Sequence, residues 1–172
     1  MQCHSLAPVV PQPAVMRVLI LGSMPGEASL QAQAYYAHPR NQFWPIMAQC
    51  LGVKTWPSHL PTRYQLLAEQ GIGLWDVIAQ CQRQGSLDSA IKADSITLNP
   101  ILSLLEQQPN CQLIMCNGQK AGQLFKRYLA ASVIESFPNI EWCVMPSTSP
   151  AHAALSFADK YQAWQDKLIN FR

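Results

Sequence analysis

A chain of 172 residues with 49% hydrophobic and only 13% charged side chains can bury a core and excludes a disordered or coiled-coil reading. A formal net charge of +2 is too slight to announce a polyanion-binding face, so contact with nucleic acid has to be argued from particular residues. No apolar run approaches the roughly 18 residues of a membrane span, and the N-terminus lacks a signal peptide's basic start and apolar core.

In chain order, residues 1–15 contain three prolines and read as a loose lead-in. Arg17-Val-Leu-Ile-Leu-Gly22 is a short apolar run ending in glycine, the pattern of a strand buried on both faces. Helical spacing follows at 41–51 and 62–70. Gly73-Leu-Trp-Asp76-Val-Ile78 reads as a second strand. Asn99-Pro100 is an N-cap with proline at the first helical position, opening a helix to about Gln107. A third strand covers 111–116, a helix 119–131, a fourth strand 141–145, and a final helix 153–172. Strands alternating with helices predict an α/β domain over residues 1–172: three layers, α/β/α, around a mainly four-stranded parallel sheet.

Six cysteines lie without a CxxC pair, and Cys111 and Cys116, five apart on one strand, would face opposite sides. No metal and no cofactor is therefore expected, and the thiols read as buried and free in a reducing cytoplasm. Trp44, Trp75, Trp142 and Trp164 fall on apolar segments and read as core. Lys120, Lys126 and Arg127 read as a solvated helix face.

Open parallel sheets bind ligands beyond the carboxyl ends of their strands. The residues to examine are therefore Gly22-Ser23-Met24-Pro-Gly26, Asp76, Asn117-Gly118 and Pro146-Ser147-Thr148-Ser149-Pro-Ala-His152. The first turn carries neither GxGxxG nor GxxxxGK[ST], which argues against a nucleotide-phosphate loop.

After Gly26 and nine intervening residues comes Tyr36-Ala-His38-Pro39-Arg-Asn41-Gln-Phe43-Trp44. Together these segments resemble the first motif of the mismatch-specific members of the uracil-DNA glycosylase superfamily. They resemble more closely the hypoxanthine-DNA (deoxyinosine) glycosylase branch, in which the first motif reads G-S-x-P. Gly71-Ile-Gly-Leu-Trp-Asp76 and Pro146-Ser-Thr-Ser-Pro150 agree with that superfamily, so the resemblance spans roughly residues 17–160.

The resemblance implies a monofunctional DNA glycosylase that flips a deaminated base, hypoxanthine or uracil, into a pocket and hydrolyses its N-glycosidic bond. Tyr36 takes the place of the stacking aromatic. Backbone N–H groups around Gly22, Ser23 and Tyr36 would meet a base carbonyl as its charge grows. Met24 stands where mismatch-specific relatives carry a water-positioning Asn, and in the hypoxanthine branch the Asn of His-Pro-x-Asn is essential. This makes Asn41 the expected principal catalytic residue, with His38 either assisting or shaping the loop. Asn41 also reads as the N-cap of its helix, and both roles could hold.

Asp76, at the place of the base-reading Asn of uracil-excising relatives, can accept from an imino N–H, or merely end its strand or pair with Arg83. Asn117 either adds an edge contact or forms a turn with Gly118. Ser147, Thr148, Ser149 and His152 are candidate phosphate contacts, with helix-start hydrogen bonding the alternative for His152. The expected partner is DNA containing a deaminated base, bound by a cytoplasmic monomer with no membrane contact. The rival reading is a non-catalytic, lesion-sensing DNA-binding module.

Overall fold

The structure, a computed structural model, describes residues 1–12 and 15–171. Its centre is a parallel sheet in the order β3-β2-β6-β7, formed by β2 (Val18–Gly22), β3 (Ile72–Asp76), β6 (Leu113–Asn117) and β7 (Glu141–Met145). All residues of β2 and β3 are buried, as their unbroken apolar runs require, whereas edge strand β7 begins on the exposed Glu141. Helices α2 (Phe43–Leu51) and α7 (Phe157–Leu168) pack on each other, α3 (Leu60–Glu69) lies on β3, and α5 (Gln119–Tyr128) covers β6 and β7. The expected α/β architecture with four parallel strands is present.

The lead-in is not loose. Residues 13 and 14 lie outside the described residues, but β1 (Gln2–His4) pairs antiparallel with β4 (Ile78–Gln82), and Val9 exchanges backbone hydrogen bonds with Leu74 on the edge strand β3. An uncovered edge strand would offer unpaired N–H and C=O groups. The N-terminal segment covers part of that edge. It also accepts hydrogen bonds from Trp75 Nε1 and the Tyr35 hydroxyl at the Leu6 carbonyl.

The second strand is also split. The chain leaves the parallel sheet at Asp76 and enters a small antiparallel sheet, β1-β4-β5, completed by β5 (Thr97–Leu98). Val77 and Ile78 stay buried across the switch, so the apolar run gives no sign of it. Asn99 does not cap α4 (Ile101–Gln107); its amide donates to the carbonyls of Asp76 and Ile78 and holds the switch point closed.

The expected helix at 119–131 is two, α5 and α6 (Ala130–Ser136), broken at Leu129 without glycine or proline. Short α1 (Glu27–Ala32) was not expected, and the last helix starts only at Phe157 behind a Ser156–Asp159 capping box. Residue 172 of that expected helix lies outside the described residues. Cys3, Cys50, Cys81, Cys111 and Cys116 are buried and Cys143 is half-buried, but Cys111 precedes its strand.

Trp164 joins the last helix to the rest: it is fully buried, meets Phe43 edge-on at 6.2 Å, and donates from Nε1 to the Pro146 carbonyl. Trp164→Ala is expected to lower unfolding free energy by about 3–5 kcal/mol, measured by urea denaturation. A loss under about 1 kcal/mol would mean the site collapses freely around a dispensable ring.

Candidate active site

The carboxyl ends of β2, β3 and β6 and the turn after β7 converge on one cavity of about 410 Å³. Gly22, Ser23, Tyr36, His38, Asn41, Asp76, Asn117, Ser147, Thr148 and Ser149 all line it. His152 does not; its carbonyl accepts from Lys160 and its N–H bonds Ser149.

Asp76 ends β3 directly opposite Gly22, its registered partner on β2. A β-carbon at position 22 would collide with Asp76 Oδ1, so only glycine lets this carboxylate sit at the mouth of the sheet. Asp76 is 4% exposed. Burial pushes its carboxyl up to about 7, with the neighbouring Asp88 charge adding to the rise; a hydrogen bond from Ser5 and the charge of Arg83 pull it down. Arg83 does not form the close pair considered from sequence. Its buried guanidinium donates instead to the carbonyls of Met24 and Pro25.

Tyr36 sits on a strained loop. It has φ of 56°, and Gln33, three residues earlier, has φ of 49°; both are left-handed conformations unusual outside glycine. The loop is held by side chains: the Tyr64 hydroxyl accepts from Tyr35 N–H, Ser29 Oγ accepts from Ala37 N–H, and Trp44 Nε1 donates to the Tyr35 carbonyl. The ring of Tyr36 stacks on buried Phe43 with centroids 3.9 Å apart. Its hydroxyl is buried beside Asn117 without hydrogen-bond geometry, and burial raises the phenol above its ordinary range.

Asn41 uses Oδ1 to accept from Phe43 N–H at 2.9 Å, fastening the first turn of α2. The N-cap of α2 is Gln42, one residue later, and it takes no side-chain hydrogen bond, so Asn41 is not the cap expected from sequence; its amide N–H₂ and the second lone pair of Oδ1 are left to the cavity. His38 Nδ1 accepts from Arg40 N–H at 3.1 Å, which places the proton of a neutral ring on Nε2.

Asn117 and Thr148 bond reciprocally: Asn117 Nδ2 donates to Thr148 Oγ1 at 2.9 Å, and Thr148 N–H donates to Asn117 Oδ1 at 3.0 Å. The Thr148 carbonyl also accepts from Gln42 N–H. Asn117 thus pins the 146–151 turn to the sheet. Thr148, wholly buried, is a poor phosphate contact because its hydroxyl is committed inward. Ser147 and Ser149 accept from N–H groups two residues on and keep their own hydroxyl protons for a ligand.

Several lining or supporting residues are not among those singled out from the sequence. Asp88, on a 3-10 turn (Asp88–Ala90), accepts from Ser23 Oγ at 2.6 Å. Burial raises its carboxyl too, while that hydrogen bond and the charges of Arg83 and Lys120 lower it. Arg40 puts an exposed cation at the rim, and Ser5 reaches Asp76 from the N-terminal segment. Only the sheet switch brings Asp88 here. Arg40 was legible, since it stands inside the His-Pro-Arg-Asn segment.

A cavity at the carboxyl edge of a parallel sheet, walled by an aromatic ring, an amide and a buried carboxylate, stands where α/β proteins with open parallel sheets bind their ligands. A sequence profile of the uracil DNA glycosylase superfamily matches residues 11–170. The chain belongs to the uracil DNA glycosylase superfamily. A hypoxanthine DNA glycosylase of Methanosarcina barkeri is 37% identical over 106 residues, 62% of this chain and 66% of that protein. A hypoxanthine DNA glycosylase of Methanosarcina acetivorans is 37% identical over 115 residues, 64% of this chain and 72% of that protein. The solution NMR structure of a Methanosarcina acetivorans protein assigned as a uracil DNA glycosylase superposes with a TM-score of 0.81. It is 29% identical, and the match covers 99% of both chains.

Because the Ser5 hydroxyl stabilises the charged form of Asp76, Ser5→Ala is expected to raise the Asp76 midpoint above about 7. Carboxyl-carbon NMR titration reads this directly; an unmoved or lower midpoint removes the role assigned to Ser5. The sign for stability follows. A carboxyl with a raised folded-state pKa stabilises the fold below its ordinary value of 3.8, and that contribution is lost as pH rises through about 7.

Proposed function

We propose that this chain is a monofunctional DNA glycosylase that hydrolyses the N-glycosidic bond of deaminated bases, hypoxanthine foremost and uracil by the same chemistry. The observation that carries the reading is the meeting of Tyr36, Asn41 and Asp76 in one cavity at the end of the sheet. The names of the two Methanosarcina relatives point to the same substrate.

The flipped base enters the cavity and lies against Tyr36, which Phe43 backs from behind. Ionised Asp76 accepts from the imino N–H that hypoxanthine and uracil carry and adenine lacks at N1. As the glycosidic bond lengthens, the sugar becomes oxocarbenium-like and the base takes up negative charge, met by backbone N–H groups around Ser23 and Tyr36. Asn41, anchored through one lone pair of Oδ1, uses the other to accept from and orient a water, while its amide N–H₂ donates to the base or sugar. It does so without titrating, so its own chemistry adds no pH limb. Outside the cavity, the hydroxyls of Ser147 and Ser149 and the cation of Arg40 suit the phosphates flanking the extruded nucleotide.

Action as a monomer in the cytoplasm belongs to the same proposal. Among the described residues no helix is long and apolar enough to cross a membrane.

Oligonucleotides carrying a single hypoxanthine or uracil should yield free base and an alkali-labile abasic site with no strand break. Lesion-dependent binding without base release over long incubation would favour a non-catalytic sensor instead. Asn41→Ala is expected to reduce single-turnover excision by on the order of 10²–10³. Losing the hydrogen bond to Phe43 N–H also costs it about 0.5–1.5 kcal/mol of stability. Asn41→Asp separates the two roles: it retains an acceptor for Phe43 N–H, so stability should return while excision stays low. Full activity in Asn41→Asp would leave Asn41 only as the acceptor that anchors Phe43 N–H.

A further inference from the structure

We infer that Asp88 is a positioning residue that sets which bases the cavity accepts, by taking the Ser23 hydroxyl proton and leaving the Ser23 oxygen as an acceptor on the cavity wall. The inference rests on the glycosylase reading and goes beyond it.

Asp88 comes from a segment that leaves the parallel sheet altogether, between β4 and β5, and returns over the turn after β2. Three separate contacts fasten it there. Ser23 Oγ donates to Asp88 Oδ1 at 2.6 Å, Arg83 donates to the carbonyls of Met24 and Pro25, and Glu27 N–H donates to Ser86 Oγ at 2.9 Å. A β-carbon on Gly26 would already touch Ser86, so the two segments are packed closely. Ser23 and Asp88 both line the cavity, and Ser23 follows Gly22, the registered neighbour of Asp76.

A hydroxyl has one proton to give. With that proton held by a carboxylate at 2.6 Å, Ser23 Oγ has only its two lone pairs to offer and can only accept. The wall over β2 and β3 then presents two acceptors, Ser23 Oγ and ionised Asp76. It suits an edge that bears an imino N–H, as in hypoxanthine N1–H or uracil N3–H. It repels the bare lone pair of adenine N1 or cytosine N3, because two acceptors facing each other leave both unpaired and desolvated. Guanine, which also has N1–H, is not rejected by this wall.

Asp88 acts on Asp76 by charge as well. The groups bearing on Asp76 are Asp88, Arg83 and the Ser5 hydroxyl, with the phenols of Tyr35 and Tyr36 alongside; those bearing on Asp88 are Ser23, Arg83 and Lys120. Like charge at Asp88 favours the protonated form of Asp76, so removing it should move the acid limb of excision to lower pH.

The test is single-turnover release of hypoxanthine and of adenine from otherwise identical duplexes across pH. Asp88→Ala is expected to lower the preference for hypoxanthine by roughly tenfold or more and to shift the acid limb downward. Asp88→Asn keeps an acceptor for Ser23 without the charge, so the limb should shift while most of the preference returns. Ser23→Ala should lose preference to a similar degree, and adding Asp88→Ala to it should change preference no further. Unchanged preference in Asp88→Ala, or independent multiplication of the two single effects, overturns the inference. Should Asp88→Ala fail to fold, unchanged preference in Ser23→Ala overturns it equally. A wild-type protein that releases no base from any duplex would instead sink the glycosylase reading itself.

Discussion

A carboxylate held out of water at the mouth of a parallel sheet is the constraint around which the rest is arranged. Burying an ionisable group is costly unless its partners are supplied, and the chain supplies Asp76 with few. Ser5 gives one hydrogen bond, Arg83 contributes only at a distance through its charge, and Asp88 adds repulsion. Each of these comes from outside the four-stranded sheet. Gly22 clears the space, Asn99 fixes the backbone on either side of Val77, and the N-terminal segment walls off solvent along β3. The result is a carboxyl balanced near neutrality, able to exist as acceptor or donor under ordinary conditions.

A second network gives the opposite wall its rigidity. Thr148 bonds Asn117 twice, and its carbonyl takes Gln42 N–H at the entrance to α2. The Gln42 side chain in turn accepts from Lys160 Nζ, which also donates to the His152 carbonyl. Burial lowers the Lys160 ammonium from its ordinary value, yet two oxygen acceptors within 2.9 Å compensate much of the desolvation. Four segments distant in sequence, ending β6, preceding α2, following β7 and within α7, are thereby locked together. Catalytic groups held within a few tenths of an ångström need such support more than they need additional contacts to substrate.

The sheet was legible because buried parallel strands leave continuous apolar runs, and β7 was read over its full observed span, 141–145. The lead-in was misread because proline-rich composition reports turn chemistry and says nothing of what the intervening residues cover. Val9 and Ser5 carry no local pattern that marks an edge-strand cover or a hydroxyl partner. The switch after Asp76 was hidden for the reason already given by Val77 and Ile78: burial continues while the partner strand changes. Most of the cavity was legible from one rule, that chemistry gathers after parallel strands, together with one specific motif. Asp88 was not, since its approach depends on a topological excursion whose own sequence is short, polar and non-periodic.

The site's charge pattern also fits the reaction proposed for it. DNA arrives as a polyanion at a protein of net charge +2, so attraction must be local, and the rim offers neutral hydroxyls and Arg40 where phosphates would lie. Inside, two carboxylates would repel a phosphate, which keeps the backbone at the rim and admits only the uncharged base. An acidic interior behind a neutral-to-basic rim therefore sorts base from phosphate during entry. A nucleotide-phosphate pocket would need the reverse order, with donors or cations deepest in the cleft.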